Sequence, residues 1–484
     1  MPSFRDLCSR PLRSRSDKHN STVAPRTEDD AEKTIVDRHG LPDIPRNFVA
    51  HLNRNTDTVT QEVLEPFLQY ELTLRKAFAQ RDGSIDDMAN LVHIYDPSTT
   101  LPKFRNIDRE QCDPEKYLMR LSSDSPGTDR SCAVADSFEA YQRNFDAFTH
   151  STLSGIDWSN VVAAGSSAML PLLPHRTDVK IPNDPAVEDP LETYYQRTAS
   201  SSDIDLFLYG LTEEAALAKI SQLEAAIRRN QRLSHGCGLT IRTANAVTFV
   251  SPRWPFRHVQ VILRLYRSIS EILTGFDVDC ACVAFDGKQV YSNPRGVAAL
   301  TTRTNLIDLS RRSPSYENRL YKYRSHQFDA YWPALDRSQI DESQCVRTTE
   351  HPKVEGLARL LFFENLVKKY KNSYHQRRRL QTIDENGLPT HSGYAMLEIP
   401  YGERFTANKV RKFVAFHSKE PYIFGSVDKV LQGKTPESSK KNVAELGSKV
   451  VFLTDDPGRQ MIGSFNPITE DDWTDMAYGK RSTR

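Results

Sequence analysis

The chain has 484 residues, 38% of them hydrophobic and 26% charged, with 64 Lys and Arg against 63 Asp and Glu. A net charge of +1 gives no global field to draw it to nucleic acid or to an anionic membrane, so any such contact must come from a local patch. The composition is that of a soluble protein with apolar residues enough for one large domain or two to three smaller ones, and no apolar run approaches the roughly 18 residues of a membrane span. Cys8, Cys112, Cys132, Cys237, Cys280, Cys282 and Cys345 are odd in number and scattered, without a CxxC. That argues against a disulfide framework or a zinc ribbon and for a reducing, intracellular setting. Met1-Pro2-Ser3-Phe4-Arg5 lacks the apolar stretch of a secretory signal.

Residues 1–45 are polar and mixed in charge, a disordered tail whose basic start is either solvated or a nuclear address; the expected location is cytoplasmic or nuclear. Residues 46–150 form an N-terminal helical segment. Val63, Leu64, Phe67, Leu68 and Leu72 recur at helical spacing and predict one or two helices between Phe48 and Gln80. Residues 82–135 read as irregular, and 137–148 as a short helix.

The stretch 151–330 alternates strands and helices, which predicts a mixed sheet with helices packed on it. WSNVVAAG (158–165) is a β-branched apolar run ending at Gly165-Ser166-Ser167, followed by a short helix. A loop insertion is expected over 174–200. SDIDLFLYG (202–210) alternates like a strand, and Thr212 caps a helix running to Arg229. Strands are predicted at 239–251, 257–266 and 277–285. The last is joined by an Asp286-Gly287 turn to 288–292 as a hairpin. Helices are expected at 268–273, 313–330 and 354–372. Residues 331–484 form a C-terminal α+β extension with short strands at 449–456 and 457–467. KKYKNSYHQRRR (368–379) is a basic, tyrosine-bearing run with the character of a solvated helix end, an anion contact or an import signal. His351, His391 and His417 lack zinc spacing, and no GxSxG, HExxH or GxxxxGK[ST] pattern occurs.

One constellation has chemistry in it. Asp203 and Asp205, two apart on a strand, share a face. Two acids on a buried face repel and lose solvation, a cost that a hard divalent cation such as Mg²⁺ or Mn²⁺ removes while bridging to phosphate. A Gly-Ser turn at a helix start offers free N–H groups to an anion. Each motif alone is weak, since Asp-x-Asp often marks a solvated strand edge; their order is more specific.

That order, apolar-Gly165-Ser166 and then Asp203-Ile204-Asp205-Leu206, resembles the nucleotidyltransferase superfamily of polymerase-beta-like enzymes, poly(A) polymerases and antibiotic nucleotidyltransferases. The resemblance covers about 155–300 and implies a nucleotidyltransferase-like α/β core. In it Gly165, Ser166 and Ser167 would grip a nucleoside triphosphate and Asp203 and Asp205 would hold metal. A third acid on a later strand would complete the site. Two departures stand out: the gap between the motifs is long, and Gln260 occupies the third-acid position. Asp277 and Asp279 are the nearest substitutes, with Asp279 favoured as the third metal ligand and both counted as catalytic candidates. Arg264 and Arg267 would offset the charge of the triphosphate. VQVILRLYRSISEILTGFDVDCACVAFDG, RRSPSYENRLYKY and PGRQMIGSFNP also resemble an uncharacterised family of fungi, protists and large DNA viruses, sometimes found beside ankyrin repeats. The function expected is metal-dependent nucleotidyl transfer to RNA, a protein or a small molecule. The alternatives are a catalytically inactive nucleotide-binding domain and a protein-interaction scaffold.

Overall fold

The computed structural model describes residues 48–81, 83–98, 100–121, 131–176, 179, 189–200, 202–313, 316–341, 358–369, 399–418, 421–432, 446–447 and 449–454. The tail over 1–45, most of the basic run at 368–379 and the strand expected at 457–467 lie outside them. Among the described residues there are thirteen α-helices and twelve strands, an α+β arrangement built on a large mixed sheet. No helix among them is long and apolar enough to cross a membrane.

The strands in chain order are β1 (Val92–His93), β2 (Tyr117–Leu118), β3 (Val161–Ala164), β4 (Ile204–Tyr209), β5 (Leu239–Arg242), β6 (Ala246–Val250), β7 (Val259–Tyr266), β8 (Val283–Phe285), β9 (Val290–Ser292), β10 (Thr304–Leu306), β11 (Asp329–Tyr331) and β12 (Ile423–Gly425). Nine of them form one sheet in the order β1-β9-β8-β3-β4-β7-β6-β5-β12, and β10-β11-β2 form a second. Within the large sheet only β4 and β7, at its centre, run parallel. β3 is buried at all four residues, as an apolar central strand must be.

Helix starts follow capping chemistry. Ser137, Thr212 and Ser268 each accept the N–H three residues on, at Ala140, Ala215 and Glu271, and open helices Phe138–Thr149, Glu213–Asn230 and Ile269–Thr274. The N-terminal segment folds as two helices, Phe48–Arg54 and Thr60–Ala79. Their Phe48, Leu52, Leu64 and Phe67 enter the same apolar cluster as β3, β4 and β7.

Four expectations of the 151–330 core need correction, and of the strand expected at 449–456 the described residues show only an isolated bridge at Leu453 to Arg264. The 174–200 stretch holds a helix, Pro190–Thr198, capped by Asp189 and fixed by burial of Tyr194 and Tyr195. The run 239–251 is two strands, β5 and β6, paired with each other. Among the described residues of 313–330 the helix runs over Tyr316–Ser325, and the chain then turns into β11. At 277–285, Asp279–Ala281 is a 3-10 turn and the strand begins at Val283. The hairpin that follows turns at Gly287, whose φ of 86° and whose 2.2 Å approach of a notional Cβ to Trp158 leave room for glycine alone. Helices Ala407–His417 and Val427–Gln432 frame β12 at the sheet edge.

Candidate functional site

The register of the central strands brings the two motifs to one end of the sheet. β3 ends at Ala164 with Ala163 opposite Leu206, so Gly165 emerges beside the start of β4, where Asp203 and Asp205 lie. Gly165 has φ 74°, ψ −140°, a conformation closed to side-chain-bearing residues, and opens the helix Ser166–Leu172. Its N–H is held by the Val283 carbonyl at 3.0 Å, and Ser167 Oγ donates to the Ala164 carbonyl at 3.0 Å. Both serines are buried. The turn is therefore rigid, and these two groups already have protein partners.

Asp205 pairs in register with Gln260 on the parallel strand β7, and Gln260 pairs in turn with Thr248 on β6. Residues directly opposite on neighbouring strands point to the same side of a sheet. Asp205, Gln260 and Thr248 therefore form one row. The position where a third carboxylate is expected is beside Asp205, and a neutral amide fills it. Burial, and then the charge of Asp203, push the Asp205 carboxyl well above the usual carboxylate range; Lys322 opposes the shift. Among the described residues neither Asp203 nor Asp205 has a side-chain hydrogen bond or an ion pair.

The surroundings of the pair are held by groups that the sequence did not single out. Arg257 is fully buried and donates to the carbonyls of Phe148 (2.6 Å), Ala199 (2.6 Å), Ser202 (2.8 Å) and Tyr195 (3.2 Å). It thus fixes the backbone immediately before Asp203 and faces that acid electrostatically. His258 accepts the Ser251 N–H at Nδ1 (3.0 Å), and its Nε2 lies 3.0 Å from the Pro400 carbonyl, which assigns the proton to Nε2. Burial lowers its pKa, so the ring stays neutral. Helix Tyr316–Ser325 reaches the same end of the sheet. It buries Tyr316, Leu320 and Tyr323 and brings Lys322 into the field of Asp205. The sequence predicted a helix here, but no signal in it placed that helix beside the acid pair.

The substitute acids are placed differently. Asp277 accepts from Ser313 Oγ at 2.7 Å and is ion-paired with Arg319. Asp279 is ion-paired with Arg295 at 2.9 Å and accepts the Leu306 N–H at 2.8 Å. Because Asp279 opens a 3-10 turn, the two do not share a strand face as expected. Asp279 and Arg295 line a cleft with Thr60, Asp108, Cys112 and Tyr331, beside the N-terminal helix Thr60–Ala79. Among the described residues no group of three or more His, Cys, Asp and Glu is arranged to hold a metal ion. Asp203 and Asp205 suit one hard cation; the donor set for a second, with Gln260 in the row and Asp277 and Asp279 committed to arginines, does not fit.

Arg264 and Arg267 also fall away from the pair. They follow Gln260 by four and seven residues: Arg264 lies about 13 Å along β7 at the usual strand rise of about 3.3 Å, and Arg267 just past the strand's end at Tyr266. Arg264 is buried, 3.4 Å from Glu271 and 4.7 Å from the Tyr266 ring centroid. Arg267 bonds Asp87 at 2.8 Å, and its own N–H is taken by Glu271 at 2.6 Å.

Comparison with known proteins places this end of the sheet inside a region of recognisable likeness. Residues 139–303 match the sequence model of a family described as "Gad2: Gabija anti-defense 2 family protein". An uncharacterised protein of Acanthamoeba polyphaga mimivirus is 24% identical over 345 residues, covering 56% of this chain and 76% of the viral protein. The likeness to a large-DNA-virus protein fits the second resemblance drawn from the sequence. No solved structure matches.

Proposed function

We propose that residues 151–330 form a nucleotidyltransferase-like module that holds a nucleoside triphosphate through one Mg²⁺ or Mn²⁺ ion at Asp203 and Asp205, and that it binds without transferring. The observation that carries this reading is the register pairing of Asp205 with Gln260, beside the Gly165 turn. Two unpartnered carboxylates that repel each other make a site whose charge is unsatisfied until a cation arrives. Asp203 and Asp205 would hold such a cation, which would supply the positive charge that a phosphate chain needs. Gln260 offers only an amide, which is a poor ligand for a hard cation and cannot take a proton from an acceptor hydroxyl. Nucleotidyl transfer to RNA, a protein or a small molecule is therefore the secondary reading. The name of the matched family suggests the biological setting in which such a module would act, as an inhibitor directed at a defence system.

The test is incubation of the full chain with each labelled nucleoside triphosphate and Mg²⁺ or Mn²⁺. Retention of label without pyrophosphate release is expected. Stoichiometric pyrophosphate, or label moved to an acceptor, would replace binding by transfer. Absence of retention for all four nucleotides would remove the nucleotide from the account.

A further inference from the structure

We propose that the segment 399–401 of the C-terminal extension is a strap that positions Asp203, and that Tyr401 and His258 are the positioning residues through which it acts. The site at Asp203 and Asp205 is then incomplete without the extension. The inference deepens the nucleotide reading and rests on it for its consequence in ligand binding. Among the described residues the Asp203 carboxylate has no hydrogen bond and no ion pair, so its place is set by the backbone on either side of it. Two consecutive residues hold that backbone on both flanks. The Ser202 carbonyl accepts from the Arg257 guanidinium at 2.8 Å, and the Ile204 N–H donates to the His258 carbonyl at 3.0 Å.

The side chains of the same two residues meet the strap. His258 Nε2 lies 3.0 Å from the Pro400 carbonyl, and the His258 ring is 5.4 Å from the Tyr401 ring. The Arg257 guanidinium carbon lies 5.8 Å from the Tyr401 ring centroid and 4.1 Å from that of Phe148. Among the described residues Arg257 has no ion pair, so these two aromatic faces and its carbonyl partners are what hold the buried cation. The strap itself is fixed where it crosses: the Tyr401 hydroxyl donates to the Pro255 carbonyl, and its ring lies 4.9 Å from that of Trp254. On the core side His258 Nδ1 accepts the Ser251 N–H at 3.0 Å, while the Ser251 hydroxyl donates to the Arg257 carbonyl. His258 therefore has the core on one ring nitrogen and the strap on the other. Each step from Tyr401 to the two flanks of Asp203 is a direct contact. Loss of the strap leaves Arg257 and His258 room to shift, and the Ser202 carbonyl and Ile204 N–H shift with them. A ligand site tolerates little of this, because its groups have to sit within about 0.5 Å of the binding geometry.

The experiment takes two readouts on the full chain and on its Tyr401→Ala, Tyr401→Phe and His258→Asn variants, with melting temperature as a control. The first is amide hydrogen exchange at Ile204, and the second is equilibrium binding of each nucleoside triphosphate with Mn²⁺. Tyr401→Ala is expected to speed exchange at Ile204 about tenfold and to raise Kd by a similar factor, roughly the scale of one cation–π contact with one hydrogen bond. Exchange in β8, beyond β3, should stay as in the parent. Tyr401→Phe keeps the ring over Arg257 and should remain within about threefold of the parent in both readouts. His258→Asn keeps an acceptor for the Ser251 N–H and gives up the reach to Pro400, so it should match Tyr401→Ala. Unchanged exchange at Ile204 in Tyr401→Ala and His258→Asn overturns the proposal, whatever the melting temperature does. So does an unchanged Kd in those variants when the parent binds, which would make the strap a stabilising contact only. If the parent binds no nucleotide with Mn²⁺, the nucleotide reading fails, and exchange at Ile204 alone decides whether the strap positions Asp203.

Discussion

The chain carries two Asp-x-Asp triplets, and the structure treats them in opposite ways. At Asp277 and Asp279 each carboxylate meets an arginine and a second donor: Arg319 with Ser313, and Arg295 with the Leu306 amide. Burial raises the Asp279 carboxyl, and Arg295, foremost, pulls against it. Arg295 also meets Glu71 at 2.8 Å, and Arg311 meets the same Glu71 oxygen at 2.7 Å, so this triplet belongs to a buried network tying the N-terminal helix to the core. At Asp205 only Lys322 opposes burial and the charge of Asp203, without an ion-pair contact. A satisfied acid pair holds a fold together; an unsatisfied one is available for a ligand. The motif is the same, and its partners decide the role.

The strongest break in this comparison is loss of the shared arginine. Arg295→Met leaves Asp279 buried without its cation and Glu71 with Arg311 alone, and should cost about 3–5 kcal/mol, read as a lower denaturation midpoint in urea. Asp279→Asn should cost less, about 2–3 kcal/mol, because the amide keeps part of the hydrogen bonding to Arg295 and Leu306. Asp205→Asn should behave in the opposite sense and leave ligand-free stability within about 0.5 kcal/mol of the parent, or raise it, because it removes repulsion. Equal losses for Asp205→Asn and Asp279→Asn would erase the distinction between the two triplets.

The pH dependence sharpens the same contrast. The folded-state pKa of Asp205 lies above its unfolded value, so the folded state binds the proton more tightly. Its contribution to stability declines as pH rises from the ordinary carboxylate range through the raised folded value. Glu71 has the other sign. Burial alone would push its carboxyl up, but Arg295 and Arg311 overcome that and hold it below the usual range, so its stabilisation is present above the ordinary glutamate range and is lost as pH falls through the folded value. The difference in stability between Asp205→Asn and the parent should therefore grow in favour of the variant from mildly acidic to neutral pH. A difference independent of pH would mean that Asp205 is not perturbed. A smaller loss than at Asp279 is expected at Gln260→Asp, which adds a third acid to the row. It should lower ligand-free stability by about 1 kcal/mol and increase the stabilisation that Mn²⁺ confers.

Much of the sheet was legible because its signals are local. Thr212 with Glu213 and Glu214, the β-branched run of β3 and the Gly165 turn are read within a few residues. The acid pair and the neutral Gln260 were legible for the same reason, and the strand register then placed them side by side. What escaped reading depends on partners distant in sequence. Asp277 and Asp279 look like strand residues until Arg319 and Arg295 are seen to hold them and a 3-10 turn to separate their faces. Arg264 and Arg267 look available until Glu271 and Asp87 are found beside them. Arg257 is an ordinary strand-edge arginine in the sequence; four carbonyls from three other segments make it the fastener behind Asp203. Lys322 lies more than a hundred residues from Asp205, and no periodicity connects them.

The central claim, that the unsatisfied acid pair is the ligand site, is tested most directly by thermal denaturation with and without nucleoside triphosphate and Mg²⁺, on the parent chain and on the Asp203→Asn, Asp205→Asn double variant. A ligand that binds only the folded state raises the melting temperature by mass action, by about 2.7 kcal/mol of stabilisation at a hundred times Kd. The parent should show a rise that depends on both metal and nucleotide concentration. The double variant should start at the same or a higher melting temperature and show no ligand-dependent rise. A double variant that retains the full rise would place the ligand elsewhere and contradict the account.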